Sequence, residues 1–255
     1  MIYSDSVALI TGASRGVGRA IALALAKQRV AVAVNYRESE EEAAETWRAV
    51  QGEGAKSVMV QGDTSNDADC KRMVVETVKA MGQIDILINN AATTRFVPHD
   101  ELDALDQELW DRIFAVNVRG PFQMVRAARQ YLEESTNGHV INITSIAGIN
   151  GNGSSIPYCA SKAALINMTK SLARVLAPTV QVNSVAPGFI ESKWTRDGLG
   201  ANFDEAADKH RSGSAMGTVC QPKDVADAVM GILTGSKLVT GQTLVVDAGA
   251  MIGSK

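Results

Sequence analysis

The chain has only three cysteines and three histidines, no excess of either charge, and no long apolar run. Each shortage removes a class of function. Cys70, Cys159 and Cys220 are widely spaced, form no CxxC pair and have no histidine nearby, which argues against a disulfide framework and a zinc site alike. Free thiols are expected. His99, His139 and His210 fall in separate segments without ligand spacing, so no metal site is read from them and exposed structural histidines are expected. With 25 basic against 28 acidic residues the formal charge is −3, and no whole-surface field favours nucleic acid or an anionic membrane. No window approaches the ~18 consecutive apolar residues of a membrane span, and the start MIYSDSVALITG has neither the basic segment nor the cleavage site of a signal peptide. The expectation is a cytoplasmic protein with a small-molecule partner, no nucleic acid and no membrane.

What the chain does have is alternation of short β-rich and longer helical segments. Apolar runs at 7–10, 30–34, 57–61, 84–88, 139–143, 180–186 and 243–247 read as seven strands. They are apolar at successive positions, as parallel strands covered on both faces must be. Helical patterns fill the intervals at 18–28, 40–51, 67–81, 107–133, 160–177 and 222–235. This is the α/β class: one Rossmann-like doubly wound domain over 1–255, with helices on both faces of a seven-stranded parallel sheet. There is no linker, repeat or low-complexity tract, and the Gly- and Ser-rich segment 150–155 is short enough to be a loop beside a pocket. Right-handed crossovers place the strand carboxyl ends along one edge, where the chemistry is to be sought.

Directly after the first strand comes Gly12-Ala13-Ser14-Arg15-Gly16-Val17-Gly18, opening into an apolar helix. Glycines there allow a tight turn and let backbone N–H groups approach a pyrophosphate, whose charge the helix dipole favours. Gly12, Ser14, Arg15, Gly16, Val17 and Gly18 are therefore candidate dinucleotide contacts. Where NAD binders commonly carry an acid after the second strand, this chain runs Asn35-Tyr36-Arg37, all three read as cofactor contacts. Arg37 with Arg15 suits the 2′-phosphate of NADP(H), which an acid would repel.

After the fifth strand Ser145 places a hydroxyl at the carboxyl edge, and Tyr158 and Lys162 follow at i, i+4 on one face of the next helix. A phenol is a poor base at neutral pH, but an adjacent ammonium and a cationic nicotinamide favour phenolate. With TGASRGVG at 11–18, NNAA at 89–92, Asn117, Ser145, Tyr158-x3-Lys162 and Pro187-Gly188, the chain resembles the classical short-chain dehydrogenase/reductase family over essentially its whole length.

The resemblance implies that Tyr158 is general acid/base, that Ser145 polarises the substrate oxygen, and that Lys162 lowers the tyrosine pKa and holds the nicotinamide ribose. It implies a local break at Asn117 serving a proton relay through Lys162. It also implies adenine contacts by Asp63 and Thr64, a close approach at Asn90-Ala91, and nicotinamide contacts by Pro187, Gly188 and Ile190. Hydride would pass between NADP(H) and a carbonyl or secondary alcohol. Pairing through the 107–133 helix and the Tyr158 helix would give a homotetramer or homodimer.

Three segments should surround the substrate: 93–98, 146–156 and 189–216. The last, with Phe189, Trp194, Leu199, Phe203 and Met216, reads as a partly helical lid over an apolar pocket, and its interleaved charges, including His210, as a solvated surface. Residues 188–192 and 240–242 look like 3-oxoacyl-acyl-carrier-protein reductases, whereas 93–105 does not, so the substrate is read as a ketone or a 3-oxoacyl thioester, free or carrier-bound. The competing class is a catalytically silent nucleotide-binding sensor or scaffold, which would leave the Ser145, Tyr158 and Lys162 set without a purpose.

Overall fold

The computed structural model describes residues 5–253. In chain order the elements are β1 (Val7–Ile10), α1 (Gly16–Lys27), β2 (Ala31–Tyr36), α2 (Glu40–Gly52), β3 (Ser57–Gln61), α3 (Asp67–Met81) and β4 (Ile86–Asn89). They continue with α4 (Gln107–Phe114), a π-helical turn (Ala115–Arg119), α5 (Gly120–Glu134), β5 (Gly138–Ile143), α6 (Ala147–Asn150), α7 (Ile156–Leu176) and β6 (Val180–Pro187). Last come α8 (Lys193–Leu199), α9 (Phe203–Gly213), α10 (Pro222–Thr234) and β7 (Thr243–Val246). No helix among the described residues is long and apolar enough to cross a membrane.

All seven strands pair in parallel in one sheet of order β3-β2-β1-β4-β5-β6-β7, the doubly wound arrangement expected from the sequence. The strand order reverses between β1 and β4, and a crevice opens at the carboxyl ends of such strands. Successive strand residues point to opposite faces, so Leu9 and Ile10 enter different cores. Ile10, Val32 and Val34 pack with Ile21 and Leu25 of α1 and Val225 and Val229 of α10. Leu9, Val60 and Leu87 pack with Met73 of α3, Met124 and Leu132 of α5 and Leu172 of α7. Each fully buried aliphatic side chain contributes roughly 1.5–3 kcal/mol of transfer free energy, so both faces drive the same sheet.

The structure differs from the sequence reading in three places. At β7 the two-sided burial fails: Leu244 and Val245 are 43% and 38% exposed, because this edge strand pairs with β6 alone. The local break that the resemblance implies at Asn117 is present as the π turn, which interrupts the 107–133 helix and carries Asn117 inward to full burial. β2 runs two residues further than expected, because Asn35 is held inside the fold. His139 is not an exposed histidine but is buried in β5, where burial pushes its imidazole down to about 4. The three cysteines are free and buried.

Gly18 shows how tightly the first turn is packed: a Cβ there would collide with the Gly12 carbonyl and lie 2.7 Å from Asn90 Nδ2. Gly52, at the exposed end of α2, has nothing within 4 Å of its Cβ position. Gly18→Ala is expected to cost about 1–3 kcal/mol by overpacking, and Gly52→Ala to be neutral or to stabilise by up to about 1 kcal/mol. Urea midpoints measure both, and equal stabilities would contradict the packing.

Candidate active site

The turn after β1 is built for close approach. Gly12 and Gly16 have φ of +61° and +56°, a region that side chains disfavour. A Cβ on Gly12 would meet Ala91 Cα at 3.0 Å, so this turn and the end of β4 touch through backbone. Asn90 locks them together, its Nδ2 donating to the Thr11 and Gly12 carbonyls at 3.0 and 2.8 Å. No side chain caps the start of α1, where Arg15 is the N-cap. The first amides of that helix and the cradle left by the glycines fit a dinucleotide pyrophosphate. A cavity of about 550 Å³ runs from this turn across the sheet edge to Tyr158.

At the end of β2, Arg37 is exposed at the cavity rim, with its guanidinium 2.9 Å from Glu38 and 3.7 Å from Asp63. Arg15 lies on the same rim, 3.4 Å from Glu42. Asn35 borders the cavity and is held from within the fold: its Oδ1 accepts from Gly12 N–H at 3.0 Å and its Nδ2 donates to the Val60 and Gly62 carbonyls. Its amide braces the glycine turn from below. Burial acts to raise the Asp63 pKa, but hydrogen bonds from Ser65 and the Arg112 cation outweigh it and hold the carboxyl below its ordinary range. Tyr36 and Thr64 are buried at the edge of the same cavity.

At the other end, β5 delivers Ser145 and α7 presents Tyr158 and Lys162 one turn apart. Lys162 is buried, donates to the Ile143 carbonyl at 2.9 Å, and holds its ammonium 5.6 Å from the centre of the Tyr158 ring. Burial pushes the Tyr158 phenol up to about 12, opposed by a hydrogen bond to the Ser145 side chain. Burial also brings Lys162 down to about 8. The sequence expectation of a lowered tyrosine pKa is thus not met by the protein's own groups, because desolvation exceeds what its neighbours supply. Close packing fixes the pair: a Cβ on Gly148 of α6 would fall 2.5 Å from the Lys162 backbone.

Asn117 sits behind this pair. Its Oδ1 accepts from Thr93 N–H at 2.8 Å, and its Nδ2 donates to the Thr93 carbonyl and to Ser161 Oγ, which in turn donates to the Tyr158 carbonyl. Pro187, Gly188 and Ile190 line the same cavity, and a Cβ on Gly188 would meet Asp247 at 2.9 Å. Segments 93–98, 146–156 and 189–216 all contribute to the cavity, and the first two are joined by Val97 N–H donating to the Ser154 carbonyl at 2.8 Å.

The 189–216 segment is corrected in part. Phe203 is buried beneath Phe189 and does not line the cavity, while Met216 is 76% exposed. His210 is exposed, as expected of a solvated surface, and its ring also stacks on Phe189 at 4.5 Å at the edge of the cavity. Ser192 and Thr195 cap the start of α8 reciprocally.

Four residues near the site were not singled out from sequence. Phe96 lines the cavity beside Trp194, and Arg112 pairs with Asp63 at 3.3 Å. Ser161 links Asn117 to Tyr158, and its position three residues after Tyr158 on one helix face was an available signal. Glu42 accepts from both Arg15 and Lys193, tying the glycine turn to α8, and nothing local marks it.

Lys162 carries a measurable cost. Its folded pKa, lowered to about 8, means that between about pH 8 and the ordinary lysine value the unfolded chain binds a proton the folded chain does not. Stability therefore rises with pH across that window, and the full penalty, on the order of 3 kcal/mol, stands below it. Lys162→Met is expected to be more stable than the wild type at pH 7 by up to that amount, with the gap closing as pH rises from 8 to 10.5 in urea titrations. A variant no more stable at pH 7 would mean that the Ile143 hydrogen bond outweighs burial.

The signature of the short chain dehydrogenases matches residues 6–199. Over 244 residues, 96% of this chain and 95% of the relative, the chain is 40% identical to a protein that carries the name ketoacyl reductase 2 of the granaticin polyketide synthase of Streptomyces violaceoruber. It is 36% identical over 244 residues, 95% of this chain and 96% of the relative, to a 3-oxoacyl-acyl-carrier-protein reductase of Staphylococcus aureus. Its fold superposes with a TM-score of 0.91 and 33% identity on a protein called a short-chain dehydrogenase/reductase from Burkholderia xenovorans, covering 97% and 98% of the two chains. Against NAD+-bound xylitol dehydrogenase the TM-score is 0.88 at 25% identity, covering 97% and 99%. The parallel sheet, the glycine turn and the full-length similarity together make this chain a member of the short-chain dehydrogenase/reductase family, nicotinamide-dependent oxidoreductases of alcohol and carbonyl groups.

Proposed function

We propose that this chain is an NADP(H)-dependent reductase of ketones or 3-oxoacyl thioesters, with Ser145, Tyr158, Lys162 and Asn117 as its working set. The observation that carries the proposal is the Tyr158 phenol, hydrogen-bonded to Ser145 and flanked by the Lys162 ammonium 5.6 Å from its ring, at the end of a cavity that begins at the glycine turn. The names of the relatives, ketoacyl and 3-oxoacyl reductases, support the substrate class.

The glycine turn and α1 would hold the pyrophosphate, Asp63 and Thr64 the adenine side, and Asn90, Ala91, Pro187, Gly188 and Ile190 the nicotinamide side. When bound, the nicotinamide supplies or accepts the hydride. Ser145 would orient the substrate oxygen toward Tyr158. Because the phenol is pushed up to about 12, Tyr158 keeps its proton at neutral pH and is ready to donate it to an oxygen gaining charge. The ammonium of Lys162 favours the phenolate that donation leaves. Asn117 holds the Thr93 loop and, through Ser161, the start of α7.

Tyr158→Phe is expected to lower kcat for ketone reduction by about 10²–10⁴-fold, with NADPH affinity changed only slightly; absorbance at 340 nm reads the first and fluorescence titration the second. Turnover equal to the wild type would refute the role of the phenol.

The preference for NADP(H) rests on Arg37 and Arg15 at the cavity rim and on the lack of an acid closing β2. A charge-assisted bond to phosphate contributes about 1.5–3 kcal/mol, so Arg37→Ala is expected to weaken NADPH by about 10- to 100-fold and to leave NADH nearly unchanged. Tighter binding of NADH than of NADPH by the wild type would overturn the preference.

A further inference from the structure

We propose that Phe96 and Trp194 form a wall that selects flat, ring-bearing ketones over flexible acyl chains; the proposal rests on the carbonyl-reductase reading above. Three aromatic rings line the cavity where the reacting carbonyl would meet Tyr158. Trp194 lies 6.4 Å from the Tyr158 ring at 43° and 5.8 Å from the Phe96 ring at 57°, both tilted contacts in the range that aromatic pairs prefer. Trp194 and Phe96 are only half-buried, so part of each ring faces the cavity.

This wall is fixed in place before any substrate arrives. Phe96 sits in a notch on α8 that exists because residue 198 is glycine: a Cβ there would run into its ring. Trp194 and Gly198 are one turn apart on that helix, so Phe96 is held between them. The start of α8 is anchored by the Ser192 and Thr195 cap, by Thr195 Oγ1 donating to the Ile190 carbonyl at 2.6 Å, and by Lys193 on Glu42. Phe96 is anchored in turn through its neighbour Val97.

A preorganised aromatic wall rewards a rigid π surface, which loses no internal rotation on binding. A saturated acyl chain loses rotational freedom and has no π face to offer. Phe189, with His210 stacked on it, extends the aromatic lining of the same cavity.

The test compares kcat/KM with NADPH for 2-tetralone, a benzo-fused ring ketone, and for acetoacetyl-N-acetylcysteamine, a linear thioester, in the wild type, Trp194→Leu and Phe96→Leu. The wild type is expected to favour 2-tetralone, and each substitution to lower the ring-to-linear ratio by about tenfold. Tryptophan fluorescence gives an independent readout: 2-tetralone should quench the wild type saturably in the presence of NADP+, and Trp194→Leu should lose that quench while Trp47 and Trp110 remain. A wild-type preference for the linear thioester, or equal losses on both substrates, overturns the proposal and leaves the reductase reading standing. If neither carbonyl turns over, the reductase reading fails and the ring-selection proposal that rests on it falls with it.

Discussion

Parallel pairing of every strand is the constraint from which the rest follows. A parallel neighbour cannot be reached by a tight turn, so each of the seven strands hands the chain to a crossover that must pack on one face of the sheet or the other. Both faces are then covered, and neighbouring residues such as Leu9 and Ile10 are driven into separate cores. The same geometry brings the carboxyl ends of β1 to β6 to one edge. Gly12, Arg37, Asp63, Asn90, Ser145 and Gly188, far apart in sequence, become walls of one cavity.

Asparagine side chains organise that edge. An amide both donates and accepts, so one buried residue can satisfy several backbone groups where loops meet without regular pairing. Asn35 supports the glycine turn, Asn90 clamps it to β4, and Asn117 joins the Thr93 loop to α7. Removing such a residue would strand buried backbone groups, at about 1–3 kcal/mol each. The rigidity bears on the chemistry, since Lys162 and Tyr158 are held where burial opposes the charge on each. A site that keeps an ammonium in a poorly solvated place trades stability for a group whose charge is felt strongly by its neighbours.

The lid is tied down from two sides. Glu42 joins Lys193 to Arg15 of the glycine turn, and Gly198 receives Phe96 from the loop after β4. Ile190 pairs with Cys220 at its root. The segment 189–216 is thus positioned by contacts with the glycine turn, with the loop after β4 and with the segment before α10, so changes at any of these reach the ring wall beside Tyr158.

The sequence by itself determined the seven strands, the helices between them, the glycine turn and the placing of Tyr158 and Lys162 on one helix face. These depend on local periodicity, on the conformational freedom of glycine and on four-residue spacing, all of which lie within a few residues of one another. The family similarity confirmed the fold and the oxidoreductase class, because those same short motifs carry it. Only the tertiary structure decided that Asn35 is held by backbone groups of the glycine turn and β3, that the break at Asn117 is a π turn which buries it, and that His210 stacks on Phe189. It alone joined Glu42 to partners 27 and 151 residues away and seated Phe96 against Gly198. The direction of the Tyr158 shift belongs with these, because desolvation is set by how many elements close over the phenol, a sum over long-range packing that no local pattern encodes.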